Sequence, residues 1–153
     1  MPIFKFLHIA TMFMAVALAL GPALLLHRVA PDADVRLVRG LFGAADRLGR
    51  FIPLLFTAGL VFGLITAWTG RFDFFAPWLL IAYALFIVAS ITGAGFTAPW
   101  IKRVAALAES SPDGPATGEL AAALADRRAH ALFWLDVVII VGFVFDMVVK
   151  PFS

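Results

Sequence analysis

The sequence predicts an all-α fold: a four-helix transmembrane bundle, up-down-up-down, with a short cytoplasmic interfacial helix between helices 1 and 2. Three observations predict it. The chain has 153 residues, 63% hydrophobic and 14% charged, whereas soluble domains run at about 45–50% apolar and about 25% charged. Four stretches, residues 7–26, 51–69, 75–99 and 131–149, reach the roughly 20 apolar residues that cross a bilayer. The cations collect between those stretches rather than within them. Strict alternation of apolar and polar residues is absent, so the spans are helices and not barrel strands.

Several function classes fall away at once. The chain has no cysteine, which excludes a disulfide scaffold and a zinc ribbon. A net charge of +2 without a basic stripe gives nucleic acid no footprint. There is no Ser-His-Asp pattern, phosphate loop or HExxH, and no catalytic residue is assigned.

Residues 1–23 have the outline of a signal peptide, with Lys5 ahead of an apolar run. That run reaches about 20 residues, beyond the usual 7–15 of a signal core, so the segment is a true helix. Pro22 removes a backbone hydrogen bond inside it and predicts a kink. In the connector 34–50, Val35, Val38, Leu41, Phe42, Ala45 and Leu48 recur at helical spacing opposite Arg36, Arg39, Asp46, Arg47 and Arg50. This pattern predicts a helix lying on the membrane surface. Pro99 marks the end of the membrane part of span three. In the loop 101–130, Ser110–Pro115 is a break, and Thr117 is a candidate N-cap for a helix that runs on towards span four.

Small residues predict the inner faces of the spans. Span one presents His8, Thr11, Ala15 and Ala19; span two Gly59, Gly63 and Ala67; span three Ala89, Gly93 and Thr97. Nine of the 12 lysines and arginines lie in the two long connectors, and only Lys5, Arg71 and Lys150 lie elsewhere. The positive-inside rule therefore predicts cytoplasmic connectors and both termini outside. Trp68, Trp78, Trp100 and Trp134 fall near the span ends, as an aromatic belt requires.

Ionisable groups within a span are costly and are functional candidates by default. His8, Met12, Tyr83, Asp146 and Met147 are all placed by sequence in the outer half, as candidates for a cofactor site or, for His8 with Met12, a metal site. Three chemistries suit His8. They are haem b ligation with Met147 or another histidine as second axial ligand, copper(I) binding with Met12 at i+4, and proton exchange with Asp146. Nearer the cytoplasm, His27 and His130 share a depth, and Asp136 lies deeper, where Arg47 or Arg50 is its expected partner. Lipid is the partner the composition implies. The small-residue stripes suit neighbouring membrane subunits or a second copy equally well.

The opening Phe6-Leu7-His8-Ile9-Ala10, followed by Gly21-Pro22 and Leu26-His27-Arg28, resembles the first helix of a broad bacterial membrane group. That group includes the HemJ-type protoporphyrinogen oxidases and the copper-resistance-D-like proteins. The resemblance implies a bacterial inner-membrane location, four spans, and haem b bound at the position of His8. HemJ-type enzymes also use a lysine in span three, where this chain has none and offers Tyr83, Ser90 and Thr92.

Overall fold

Four long apolar helical runs, three of them extended beyond the length needed to cross a membrane, define the architecture in a computed structural model that describes residues 2–150. The elements are α1 (Pro2–Leu26), α2 (Val35–Gly49), α3 (Ile52–Thr69), α4 (Pro77–Thr92), a π-helical turn (Gly93–Thr97), α5 (Ala98–Ser110), α6 (Gly118–Leu124) and α7 (Arg127–Val149). Helices α1, α3, α4 and α7 form the bundle; α2, α5 and α6 form a cap at one end. The expectation that both termini face outward concerns Met1 and residues 151–153 as well, which lie outside the described residues.

Residues 77–110 form one helical run of 34 residues, about 51 Å at 1.5 Å per residue. The hydrocarbon core takes only about 30 Å, so some two-fifths of that run projects beyond it. Pro99 does not stop the helix. Its missing N–H deprives the Gly95 carbonyl of its ordinary donor, and the upstream π turn absorbs the mismatch, with Ala98 N–H donating to Gly93 O. For this reason the first part of the region 101–130, expected as loop, belongs to α5. Between α6 and α7 the break is short: the Asp126 carboxylate accepts from Arg128 N–H at 2.8 Å and restarts the helix.

The bundle surface is apolar and its exposed positions are large: Phe13, Trp68, Val141 and Val148 are 73%, 72%, 63% and 76% exposed. That inside-out distribution is the mark of a chain solvated by lipid. The protein is a multi-pass membrane protein with four transmembrane-capable helices.

The cap is built in the opposite sense. Val35, Val38 and Phe42 of α2 are buried with Val104 and Ala108 of α5 and Leu120 of α6. Thus the apolar stripe of α2, expected to lie on the membrane, instead packs on α5. Either surface satisfies an amphipathic helix, and the helical extension of span three supplies the nearer one. The connectors are zipped together by Val35 N–H to Gly114 O at 2.8 Å and Ala116 N–H to Ala33 O at 2.9 Å. Arg39 then closes the cap, donating to Ala108 O (3.1 Å), Ser111 O (2.9 Å) and Asp113 (3.2 Å). Arg36 reaches the same carboxylate at 2.8 Å. Hydrogen bonds from Arg36 and Arg39 hold the Asp113 carboxyl below the usual carboxylate range.

Candidate functional site

Two antiparallel helix pairs carry the polar residues of the membrane. In the first, α1 lies against α3, and the small residues of α3 act as sockets for side chains of α1. The His8 ring occupies the space beside Gly63, where an added Cβ would lie 2.9 Å from both Cε1 and Nδ1. One turn on, Met12 fills the space beside Gly59, with Cγ at 2.9 Å from such a Cβ and Thr11 Oγ1 at 3.3 Å. His8 Nδ1 is 2.7 Å from Gly59 O. A carbonyl only accepts, so Nδ1 carries a proton, and in the neutral ring the lone pair is on Nε2. The stripe predicted on span one does face the stripe on span two, and the two are closed on each other by His8 and Met12.

In the second pair, α4 lies against α7. Thr92 bonds to Asp136, Leu85 touches the Cα face of Gly142, and Lys150 Nζ lies 5.0 Å from the Trp78 ring centroid. That constant register sets Asp146 opposite Ala82 and beside Tyr83. Asp146 is 2% exposed, and neither carboxylate oxygen has a hydrogen-bond partner among the described residues. The Tyr83 hydroxyl is likewise buried and unpartnered. Lys150, four residues on from Asp146, does not pair with it and places its ammonium over the rings of Phe72 (4.7 Å) and Trp78. Met147 packs with Tyr83 on the small Ala67–Trp78–Leu79 cluster.

The pairs meet through Phe56 and Phe86, whose ring centroids are 5.7 Å apart. Counting outward from that contact along the antiparallel helices brings Gly59 level with Tyr83 and Gly63 level with Leu79. His8, Met12, Tyr83 and Asp146 therefore share one level of the bundle. No hydrogen bond or ion pair joins His8 to Asp146 among the described residues.

At the junction with the cap, His27 and His130 come together with ring centroids 4.8 Å apart, edge to face. His27 also stacks on Phe133 at 4.3 Å and tilts against Trp100 at 5.0 Å. Its Nδ1 is 2.8 Å from Ala23 O, the carbonyl one turn back, while His130 Nε2 is 3.2 Å from Leu124 O. Burial pushes the His27 pKa below its ordinary value, with the nearby His130 adding to the effect against the raising influence of Ala23 O. Trp100 donates to Ala123 O at 3.0 Å. Trp78 and Trp100 thus turn into the protein, while Trp68 and Trp134 face outward.

Asp136 is not met by an arginine. Thr92 and Thr97, at either side of the π turn, direct their hydroxyls to its two oxygens, the second at 3.2 Å. Arg47 and Arg50 form no ion pair among the described residues. The two threonines were not singled out as partners of Asp136 from the sequence, because five-residue spacing puts them on different faces of an ordinary α-helix. The only signal was Pro99 just beyond two glycines. No protein-family model, curated protein or solved structure matches this chain.

Proposed function

We propose that this chain is a bacterial inner-membrane protein, cap inward and termini outward, that holds a haem b through Nε2 of His8 for electron transfer or porphyrin chemistry. The observation that carries this reading is the Nδ1–H to Gly59 O bond. Metal-ligating histidines commonly donate their other ring N–H to a carbonyl, which fixes the tautomer and the ring plane. The donor set fits: an oriented imidazole, with the thioether of Met147 and the polar groups Tyr83 and Asp146 at the same end of the bundle. Gly59 and Gly63 are already filled by Met12 and His8, so within the α1–α3 seam His8 is the residue that would hold the group. Bound haem would supply one-electron chemistry. Gly63 admits the imidazole to the seam, and Gly59 O holds its proton away from Nε2. The orientation rests on the nine-to-three partition of cations towards the cap end.

A second reading, proton exchange at Asp146, is favoured by its buried carboxylate with no donor. Intramembrane carboxyls of this kind mark proton and ion paths.

The test is an oxidised-minus-dithionite-reduced absorbance spectrum of the protein in mild detergent. A b-type α-band that His8→Ala and His8→Gln both abolish supports haem ligation. A colourless protein that stays colourless after haem reconstitution overturns it. The chain would then be a proton-carrying protein or a subunit that docks membrane neighbours. Copper retention dependent on both His8 and Met12 would instead mark copper handling.

A further inference from the structure

The π turn in the third span assembles three oxygen-bearing side chains that the haem reading does not use. Thr92 is 6% exposed and the Asp136 carboxylate lies within the membrane part of α7. A carboxylate there requires a proton, a cation or a full set of donors. The donors present are insufficient. The single hydroxyl proton of Thr92 is within reach of Asp136, of Val88 O at 3.1 Å and of Ala89 O at 3.2 Å, and it serves one acceptor at a time. When it turns to Val88 O, the Thr92 oxygen presents its lone pairs to the space beside Asp136. Thr97 directs its hydroxyl to the other carboxylate oxygen at 3.2 Å, and its oxygen keeps lone pairs free for a ligand there. At the same level the π turn widens the backbone repeat, with Ala98 N–H bonded to Gly93 O. Carboxylate and hydroxyl oxygens gathered in this way are ligands suited to a hard cation.

We infer that Asp136, Thr92 and Thr97, gathered by the π turn Gly93–Thr97, form a binding site for one sodium ion. One carboxylate balances one charge; a divalent ion would leave a net positive charge in the hydrocarbon, which is costly. Among the described residues no cation of the protein is engaged there. Between Pro77 and Ile101 the sole titratable side chain is Tyr83, at the other end of α4. Lys102 and Arg103 of α5, Arg47 in the last turn of α2 and Arg50 just beyond it are exposed. On α7, His130 turns to Leu124 O and Asp146 lies nearly three turns away; on α1, His27 turns to Ala23 O. A proton is therefore the competitor for the carboxylate.

Dicyclohexylcarbodiimide, which modifies protonated carboxyls in apolar surroundings, tests this on the full chain in detergent, with labelled peptides read by mass spectrometry. At pH 6 in choline chloride Asp136 is labelled; sodium chloride at equal ionic strength suppresses the labelling at least fivefold, and Asp146 labelling is unchanged. Thr97→Ala, which keeps the carboxylate, raises the sodium concentration for half-protection at least tenfold, and Thr97→Ser restores it. The inference is overturned if Asp136 resists labelling without sodium, if choline protects as well as sodium, or if Asp136 and Asp146 are protected together. None of these outcomes depends on whether the protein carries haem.

Discussion

The imidazole of His8 sits where a side chain at Gly63 would have to go, with two ring atoms 2.9 Å from the position of the absent Cβ. Gly63→Ala therefore loosens the α1–α3 seam, because the ring is also tethered at Gly59 O and yields only by giving up that bond. The expected loss is about 1–3 kcal/mol, the usual cost of overpacking. Combined with His8→Ala the penalty shrinks, giving a coupling of about 1 kcal/mol or more in a double-mutant cycle of thermal unfolding. Gly21→Ala, which meets nothing within 4 Å, is the control and leaves the melting temperature unchanged or raised.

The cap has a true hydrophobic core, and Phe42 is its largest fully buried side chain. Truncation to alanine costs about 3–5 kcal/mol. Leu37, on the same helix but 53% exposed, tolerates alanine within about 0.5 kcal/mol. Were α2 resting on lipid by its apolar face, both changes would weaken membrane contact and neither would alter the cooperative melt of the cap. Limited proteolysis between residues 27 and 35 reports the same contrast.

Arg36 and Arg39 both bind Asp113 but are unequal. Arg39 also satisfies the carbonyls of Ala108 and Ser111 at the end of α5, so Arg39→Ala strands two acceptors and costs about 1–2 kcal/mol. Arg36→Ala removes an exposed pair and shifts the melting temperature far less. Equal shifts would show that the carbonyl contacts carry nothing.

His27 fixes a pH dependence. Its folded pKa lies below the ordinary 6.5 because burial disfavours the charged ring. The unfolded chain thus takes up the proton first as pH falls. The contribution to stability is complete above about pH 6.5 and is lost as the pH drops through the folded value. Melting temperatures measured from pH 8 to 5 fall over the acidic part of that range. His27→Gln flattens the slope; a slope unaltered in that variant would assign the effect elsewhere.

Much of this organisation is legible in the residues. The four spans follow from hydropathy, and the His8 stripe and the Gly59–Gly63 stripe each follow from periodicity, though not that they face each other. The shared depth of His27 and His130 follows from their positions at span ends, but not their ring contact. What lay beyond reach depends on non-local choices. The stripe of α2 is the same whether lipid or α5 receives it, so only the length of the third helix decides. Asp136 resembles a partner for arginine because α periodicity separates Thr92 from Thr97. A π turn, with its wider repeat, is what returns them to one side.

The cap is discontinuous in the chain, and this has a consequence for its synthesis. Helix α2 is complete more than fifty residues before Val104 and about seventy before Leu120, the residues that bury it. At about 5–20 residues per second, its apolar stripe waits several seconds without a protein partner. During that interval the bilayer beside the emerging span is the surface at hand for an amphipathic helix. Helix α2 therefore gains its protein partner only after α5, the continuation of the third span, has been made.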